Sequence, residues 1–510
     1  MAKREQQYKP LLFTTTVRNP ERLKEFLTIL KEYNGKILTN SLILDVVRGL
    51  IKNGIYETQP EKKNKILQDK LKNGESLTDA EANQIIKDSP QEHKEAGFDR
   101  GWSSRFETWY GLAKQLGFVY YEIGKKIEFS QAGLMLIDNE HHEYEQQIFL
   151  NAFAKYQRNN PFKRVLNENV PLILLLETIK RINQDKRFNA KGITRNEIPI
   201  ILCWRDNNSE ALYQQIVKIR EKYSYNPSGE VILEICDKLT GGRHNSNRPK
   251  TILQEYPDEF LRKMRLSGLI TIRGMGRFID LNTKEQSSIN YILKNYSKYK
   301  KYDTEKAYFD YMSSIDKNLI SLKVIQPINI KAEQKFLMKW SSHYKWDNIK
   351  EELTKLSGNQ SSRDNILKLI SEPLRLEFLT SLAIITKYPN ILVKPNYVSD
   401  DEGLPTSYAT GGKPDIECEE MKKYILVEVT MLAGTQQYMR EIPSIARHLK
   451  ERIDLRQDAI SLFVAPMIFI DSSRWAEFIE NKEGLKIYTL SIQDFIRNLE
   501  NKDKLYIKSR

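Results

Sequence analysis

The spacing of hydrophobic residues changes along the chain. Residues 20–53 carry hydrophobic side chains at helical spacing, interrupted by Asn34-Gly35, which predicts two short helices joined by a turn. Residues 56–99 are polar and charged and hold one more helical stretch, LTDAEANQIIK. We expect that segment to lie at the surface.

After Trp102 helical spacing alternates with strand-like spacing. The stretch WSSRFETWYGLAKQLGFVYYEIGKKIEFSQAGLMLI predicts a helix, a strand, a turn at Gly124-Lys125-Lys126, a second strand and a further helix. A helix followed by a two-stranded basic hairpin is typical of a winged helix-turn-helix. We place this first module at about residues 95–140.

A second copy of the pattern is predicted at about residues 190–285. The stretch DEFLRKMRLSGLITIRGMGRFIDLN again gives a helix and a hairpin, with Arg277 in the turn. Upstream, Thr194 and Glu197 have the spacing of a capping box at the start of a helix. Between this capping box and the helix of the second hairpin lies a basic, polar stretch without acids, residues 241–251, GGRHNSNRPKT.

Residues 351–510 have the pattern of an α/β domain. SEPLRLEFLTSLAIITKYP predicts a helix, KPDIECE a strand, and KKYILVEVT a strand with four consecutive apolar residues, as expected for a strand covered on both faces. REIPSIARHLKERID predicts the next helix, AISLFVAPMIFI a buried strand, and IYTLSIQDFIRNLE a strand and a helix. One mixed sheet flanked by helices accounts for these elements.

The segment between the two halves is hydrophilic. INYILKNYSKYKKYDTEKAYFDYMSSIDKN alternates Lys with Tyr, a combination that suits contact with a nucleic-acid backbone and stacking on bases. The alternative, which we favour, is a helical linker with its tyrosines packed inward. The predicted organisation is a mostly α region at residues 1–285, a helical linker at 286–350 and an α/β domain at 351–510.

Composition narrows the class of partner. With 510 residues the chain is too long for one core, and its net charge of +13 favours a polyanion, nucleic acid before an acidic membrane surface. The three cysteines are far apart and lack metal-ligand spacing, which fits a reduced cytoplasm. No apolar run reaches the roughly 18 residues of a membrane span. We therefore expect a soluble cytoplasmic protein with no membrane partner.

A basic chain with two winged-helix patterns indicates binding to double-stranded DNA. In such modules one helix enters the major groove and Arg or Lys side chains touch phosphate, while Arg can pair with guanine and Asn with adenine. The alternative is that the modules bind protein and that these are ordinary loop residues. The candidate DNA contacts are Arg100, Arg105, Lys125, Lys126, Arg243, Asn245, Asn247, Arg248, Lys250 and Arg277.

The strand pair of the C-terminal domain carries two acids that suit a metal-dependent nuclease. Asp415 follows Pro414 before the first strand, and Glu428 lies near the end of the second, with twelve residues between them. Such carboxylates can converge on Mg²⁺, which lowers the pKa of a bound water and neutralises charge on the reacting phosphate. The main-chain carbonyl of Val429 is a candidate third ligand.

A lysine usually stands two residues beyond the glutamate of such a site, but here the residue is Thr430. Glu377 on the preceding helix and Glu441 on the following one are candidates to complete the site. Each acid also has a structural alternative. Glu377 borders an apolar stripe, Glu441 suits a helix N-terminus, and Asp415 suits a turn after proline.

The motifs GGKPDIE, YILVEVT and MREIPSIARHL, with RNPERLKEFLTILKEYNG near the N-terminus, resemble the AlwI-type family of type IIS restriction endonucleases. That family includes nicking enzymes and large subunits of heterodimeric enzymes. The resemblance implies a C-terminal restriction-endonuclease-like PD-(D/E)xK domain whose catalytic acids are Asp415, Glu428, Glu441 and Glu377. The family lacks the lysine, so Thr430 does not argue against activity.

The resemblance also implies a reaction and partners. The N-terminal half would recognise a short asymmetric duplex site, and the C-terminal domain would cut a few base pairs outside it with Mg²⁺, leaving 5′-phosphate ends. Cutting both strands would need a second catalytic domain, from a homodimer on DNA or a small subunit, and a separate methyltransferase would protect host DNA. The alternatives are a strand-specific nicking enzyme or large subunit, and a winged-helix regulator with an inactive nuclease-like domain.

Overall fold

The computed structural model describes residues 6–505 apart from short gaps. The gaps are residues 14–16, 18, 139–143, 164, 189–191, 243–248, 323–329, 410, 421–422, 456–457 and 502–503. The chain divides into two compact units. The first unit comprises Met1–Val47 and Gln91–Ile325, and the second comprises Arg48–Pro90 and Gln326–Arg510.

Helices dominate the described residues. They are α1 (Leu23–Lys31), α2 (Asn40–Lys52), α3 (Gln59–Lys63), α4 (Lys65–Lys72), α5 (Asp79–Asp88), α6 (Trp102–Gln115), α7 (Gln131–Ile137), α8 (Glu145–Lys155), α9 (Pro171–Gln184), α10 (Ile198–Cys203), α11 (Ser209–Tyr223), α12 (Gly229–Thr240), α13 (Tyr256–Arg265), α14 (Gln286–Asn295), α15 (Glu305–Ser313), α16 (Lys317–Ser321), α17 (Ile330–His343), α18 (Trp346–Ser357), α19 (Glu372–Lys387), α20 (Ile442–Asp454), α21 (Ile470–Glu483) and α22 (Ile492–Asn501).

The strands form two small sheets in the first unit, and a five-stranded and a two-stranded sheet in the second. They are β1 (Val119–Tyr120), β2 (Glu128–Phe129), β3 (Ile193–Thr194), β4 (Ile270–Arg273), β5 (Phe278–Leu281), β6 (Leu392–Pro395), β7 (Val398–Ser399), β8 (Pro405–Ser407), β9 (Ile416–Glu420), β10 (Lys423–Val429), β11 (Asp458–Ala465) and β12 (Ile487–Ser491).

The first predicted module has the expected order of elements. Helix α6 leads into the antiparallel hairpin β1–β2 and then into α7. The chain after α1 joins this hairpin, because Leu38 N donates to Lys125 O at 2.8 Å and Ile127 N donates to Lys36 O at 2.9 Å. The assignment of this arrangement as a winged helix stays a prediction.

The second predicted module contains a three-stranded antiparallel sheet in the order β3-β5-β4. Helix α13 precedes the β4–β5 hairpin, as its sequence predicts. The side chain of Glu197 accepts a hydrogen bond from Thr194 N at 2.7 Å, so the predicted cap is present on that side. The winged-helix assignment of this region also remains a prediction.

Tyrosines of the hydrophilic segment point into the first unit. The hydroxyls of Tyr291 and Tyr296 donate to Asp316 at 3.0 and 2.6 Å, and Tyr308 is fully buried. Tyr291 and Tyr296 are half-buried, and together with Tyr308 they favour the interpretation in which the tyrosines pack inward.

A five-stranded sheet forms the centre of the second unit, in the order β12-β11-β10-β9-β6. Strand β10 runs parallel to β11 and antiparallel to β9, and β11 runs parallel to β12. Residues 425–428 of β10 and 459–465 of β11 are buried, because these strands occupy the middle of the sheet. The mixed sheet predicted from the apolar runs is therefore present.

One face of this sheet packs against α20 and α21. Its core contains Leu426 of β10, Phe463 of β11 and Ile445 of α20, all less than about a tenth exposed. Side chains on a strand alternate between faces, so Glu428 lies on the same face of β10 as Leu426. This geometry directs Glu428 toward α20.

No helix in the described part of the chain is long and apolar enough to cross a membrane.

The second predicted module contains a buried ion pair. Arg220 Nε and Nη2 donate to the two carboxylate oxygens of Glu197 at 2.7 and 2.8 Å, and both side chains are about 1% exposed. The guanidinium also lies over the rings of Phe188 and Tyr225. Removing one partner leaves the other charge buried without compensation.

We predict that Glu197→Gln lowers the free energy of unfolding of the first unit by about 3 to 5 kcal/mol. The matched control is Glu234→Gln, which breaks the exposed 2.6 Å pair with Lys238. Solvent screens that pair, so the free energy of unfolding should change little. Urea unfolding of both variants measures the difference, and equal effects would contradict the role given to the buried pair.

Candidate active site

The ends of β9 and β10 hold Asp415 and Glu428 against each other. Asp415 immediately precedes β9, and its main-chain N–H donates to Glu428 Oε2 at 3.2 Å. In return, Val429 N donates to Asp415 Oδ2 at 2.8 Å. Each strand therefore fixes the carboxylate carried by the other, so the pairing of the two predicted acids follows from the hairpin register.

Glu377 of α19 belongs to the same buried group of acids. It is 4% exposed, and its Oε2 has no hydrogen-bond partner in the described structure. An ionised buried carboxylate without a donor is costly, so such an oxygen calls for a proton or a cation. Glu377 borders the apolar stripe of α19 and also lies close enough to Asp415 and Glu428 for their charges to raise its pKa.

Thr430 holds the fourth predicted acid. Its Oγ1 donates to Glu441 Oε1 at 3.2 Å, and its main-chain N–H donates to Val464 O at 3.1 Å. Glu441 stands directly before α20, whose second residue is Pro443. The residue that replaces the usual lysine thus connects β10 to the acid at the start of the next helix.

His448 is a site residue that the sequence analysis missed. Its Nδ1 lies 2.8 Å from Glu428 Oε1, the side chain is 6% exposed, and its Nε2 is buried with no partner among the described residues. His448 follows Glu441 by seven positions, or about two helical turns, which places both on one face of a helix. That spacing is the feature of the sequence from which the position of His448 in the site could have been predicted.

Burial raises the pKa values of the carboxyl groups. For Asp415, burial and then the charge of Glu428 raise the pKa well above its usual range. For Glu377, burial and then the charges of Asp415 and Glu428 do the same to the pKa. Burial and Glu441 raise the pKa of Glu428 to about 8, although the hydrogen bond from Asp415 N lowers it.

The two remaining groups respond to burial in opposite directions. Burial raises the pKa of Glu441, partly offset by the hydrogen bond from Thr430 and by the charge of Arg440. Burial lowers the pKa of His448. The cluster as a whole resists negative charge unless a cation joins it.

The donor set suits Mg²⁺ more than a softer metal. Among the described residues, no three His, Cys, Asp or Glu side chains form a ready-made metal site. The available hard ligands are the carboxylates of Asp415 and Glu428 and the main-chain carbonyl of Val429. Mg²⁺ commonly keeps several waters and binds through one or two carboxylates, so these residues fit that ion.

Several predicted DNA contacts lie on the surface of the first unit. Arg100 is 68% exposed and forms a 3.3 Å ion pair with Glu92. Lys125 and Lys126 are exposed in the turn of the β1–β2 hairpin. Arg277 is exposed in the β4–β5 turn.

The other predicted DNA contacts differ in placement. Arg105 Nη1 lies 2.8 Å from His93 Nε2, and its guanidinium lies over the ring of Trp109. Lys250 is exposed before the turn that leads into α13. The remaining four, Arg243, Asn245, Asn247 and Arg248, lie outside the described residues.

Comparison with protein families identifies the class. The model of the AlwI restriction endonuclease family matches residues 114–370 and 320–497, which together span most of the chain. The chain therefore belongs to the AlwI restriction endonuclease family. A comparison with curated proteins gives no match.

Solved structures of restriction endonucleases also show similarity. The small subunit (R.BspD6I2) of the heterodimeric restriction endonuclease R.BspD6I is 25% identical over 31% of this chain and 82% of its own, with a TM-score of 0.26. The structure of FokI is 12% identical over 96% of this chain and 96% of its own, with a TM-score of 0.25. The structure of FokI bound to DNA is 12% identical over 97% of this chain and 96% of its own, with a TM-score of 0.23. The family match carries the assignment.

We predict that Glu377→Gln raises the melting temperature of the metal-free protein in EDTA. The folded state raises the pKa of Glu377, so it holds a proton that the unfolded chain loses, and stability falls as pH rises above the usual carboxyl range. An amide removes that cost, so the gain should be larger at pH 8 than at pH 5. Thermal unfolding at both pH values measures it.

The matched control for this prediction is Glu417→Gln on β9. Burial raises the pKa of Glu417, but its contacts with Lys394, Asn396 and Arg452 lower the pKa by more than burial raises it. The pKa is therefore below its usual value, and the negative charge of Glu417 is compensated. Its substitution should lower the melting temperature. A fall for both variants would show that Glu377 is not held under repulsion.

Proposed function

We propose that the chain is a Mg²⁺-dependent type IIS restriction endonuclease. It recognises a short asymmetric sequence in duplex DNA and hydrolyses phosphodiester bonds a few base pairs outside it, leaving 5′-phosphate ends. The observation that carries the proposal is the pair of main-chain hydrogen bonds that hold Asp415 and Glu428, at 2.8 and 3.2 Å, in a member of this family. The nearby Glu377 adds a buried Oε2 without a hydrogen-bond partner in the described residues.

Asp415, Glu428 and the Val429 carbonyl would hold the ion. When bound, Mg²⁺ lowers the pKa of water and offsets charge on the reacting phosphate. His448 fixes the orientation of Glu428 through the 2.8 Å contact at Nδ1. Thr430 keeps Glu441 directed at the end of β10, and Glu441 and Glu377 are the acids available to orient the attacking water.

The role of Thr430 differs from that of the lysine it replaces. A lysine would supply positive charge, whereas a threonine hydroxyl supplies one hydrogen bond and fixes a further carboxylate. The site is therefore more acidic than its lysine-containing counterpart. A more acidic site favours tighter binding of a divalent cation.

Sequence recognition is assigned to winged-helix modules in the first unit. The sheet order β3-β5-β4, with α13 before the hairpin, supports one module. The other module is supported by hydrogen bonds between residues 36–38, which lie between α1 and α2, and residues 125–127, which lie between β1 and β2. The exposed side chains of Arg100, Lys125 and Lys126 are available to phosphate.

The number of strands cut depends on the number of catalytic domains. In the described residues we find one group of acids with this geometry, and one such site cuts one strand. A homodimer on DNA or a small subunit would supply the second site, and without either the enzyme is a strand-specific nickase or the large subunit of a heterodimer. A separate methyltransferase would protect the host sequence.

We predict that Asp415→Asn and Glu428→Gln each abolish cleavage of plasmid DNA in Mg²⁺ and leave specific DNA binding in Ca²⁺ unchanged. Both changes remove a hard ligand charge with little change in shape. The matched control is Asp458→Asn, at the opposite end of the sheet and 70% exposed, which should cut normally. Undiminished cutting by Asp415→Asn or Glu428→Gln would refute the site.

We also predict that run-off sequencing of both strands of the digested DNA places the cuts at a fixed distance outside the recognised sequence. A cut on one strand alone would identify the nickase form. Cuts within the recognised sequence would contradict the type IIS assignment. If DNA is retarded in gels but stays intact in Mg²⁺, the chain is instead a DNA-binding regulator with an inactive nuclease-like domain.

A further inference from the structure

A helical segment of the N-terminal region belongs to the unit that contains the acids. The segment, residues 53–90, carries α3, α4 and α5, and the division of the chain groups it with residues 326–510. We call it the insertion segment. Lys70 of α4 pairs with Glu81 of α5 at 2.6 Å, so the two helices and the turn between them are held together.

The turn after α4 contains Gly74 in a left-handed conformation, with φ of 74°. Gly74 N donates to Leu71 O at 2.9 Å and Glu75 N donates to Lys70 O at 3.0 Å, so the turn closes the end of the helix. A methyl group added to Gly74 would collide with the main chain of Gly434 and lie 3.0 Å from the carbonyl carbon of Ala433.

Gly434 meets the same restriction from its own side. Its φ is 60°, and an added methyl group would collide with the main chain of Gly74 and lie 2.9 Å from Asn73 O. Both obstacles are backbone atoms, which cannot rotate away as a side chain can. The contact therefore requires glycine at both positions.

Gly434 lies in the segment that joins two of the catalytic acids. This segment, residues 430–436, is the active-site loop, and it runs from the end of β10 to the turn before Glu441. Leu432 N donates to Thr430 Oγ1 at 3.1 Å, the hydroxyl that also donates to Glu441. Gln437 N donates to Gly434 O at 3.0 Å, so Gly434 starts the helical turn that presents Glu441.

The far side of the loop is fixed by Gln437, which is about 1% exposed. Its Nε2 donates to Leu432 O and to Met467 O, each at 2.7 Å, and its Oε1 accepts from Phe469 N at 2.9 Å. The loop is thus held at Gln437 by the chain before α21 and at Gly434 by the insertion segment. Thr430 itself stays paired with Val464 through its main-chain N–H, so these two contacts act on residues 432–436 and on the turn before Glu441.

We propose that the insertion segment braces the active-site loop, and that Gly74 and Gly434 are positioning residues for strand cleavage. The inference rests on the proposed nuclease function. The brace fixes the distance between Thr430 and Glu441, so displacing the loop displaces the acid. A shift of about 1 Å in a catalytic group can cost on the order of 100-fold in rate.

The test compares Gly74→Ala and Gly434→Ala with Gly484→Ala in the full chain. Gly484 ends α21 with φ of 73°, and an added methyl group would meet nothing within 4 Å. Alanine there imposes the same backbone strain without the collision, so it controls for the strain alone. The substrate is a supercoiled plasmid pool with random inserts, cut under single-turnover conditions in Mg²⁺.

We expect Gly74→Ala and Gly434→Ala to cleave about 10- to 100-fold more slowly, with unchanged binding of the same DNA in Ca²⁺. Amide hydrogen exchange at Leu432 and Gln437 should accelerate in both. Gly484→Ala should also lower the melting temperature through its backbone strain, yet keep the cleavage rate within twofold of wild type and leave the exchange rates of those amides unchanged. The double variant Gly74→Ala/Gly434→Ala should lose less than the product of the single losses, because both changes disrupt one contact.

Equal cleavage and exchange in Gly74→Ala and Gly484→Ala would overturn the brace. If Gly74→Ala does not fold, Glu81→Gln provides a second route, because it loosens α4 from α5 without touching the loop. Slower cleavage and faster exchange at Leu432 in that variant support the brace, and wild-type values of both refute it. Wild-type protein that cuts no DNA refutes the nuclease function instead, and the exchange measurements still test the contact.

Discussion

The two hydrogen bonds that join Asp415 and Glu428 across the ends of β9 and β10 determine the rest of the site. Each acid is held by the main chain of the other's strand, so the two carboxylates stay close although their charges repel. Burial strengthens that repulsion because the interior screens charge less than water does. The other features of the site either compensate this arrangement or orient groups around it.

Packing of the surrounding sheet and of α20 offsets the free energy that burial of the acids costs. Strands β10 and β11 are buried over most of their length, and α20 packs its apolar side on Leu426 and Phe463. The same helix carries His448, which contacts Glu428, and begins next to Glu441. Packing of one helix thus fixes two side chains of the site, and a well-packed core keeps them from relaxing apart.

The elements of the second unit were largely predictable from sequence. The apolar runs of β10 and β11 identify buried strands, and the Pro-Asp and Glu positions follow from the hairpin they form. The role of Thr430 was not predictable, because a hydroxyl at that position gains meaning only from the nearby carboxylate of Glu441. His448 was missed because one histidine on an amphipathic helix gives no signal until the helix is placed against Glu428.

Long-range contacts of polar segments were the least predictable part of the fold. Most of residues 56–99 are exposed or half-buried, as their polarity predicts, but nothing in their sequence indicates that residues 48–90 belong to the unit that contains the acids. The contact of Gly74 with Gly434 involves main chains alone, and hydrophobic periodicity carries no information about it. The ion pair of Glu197 with Arg220 is similar, since the capping pattern indicates Glu197 but not its buried partner.

Calorimetric titration of Mg²⁺ into the full chain, in two buffers of different ionisation enthalpy, tests the central claim most directly. If Asp415 and Glu428 form the metal site, binding should occur with release of protons near neutral pH, because these buried acids hold protons until the cation replaces them. Glu428→Gln should abolish the binding, and Asp458→Asn should leave it unchanged. Binding that persists in Glu428→Gln, or that releases no protons in the wild-type chain, would contradict the account.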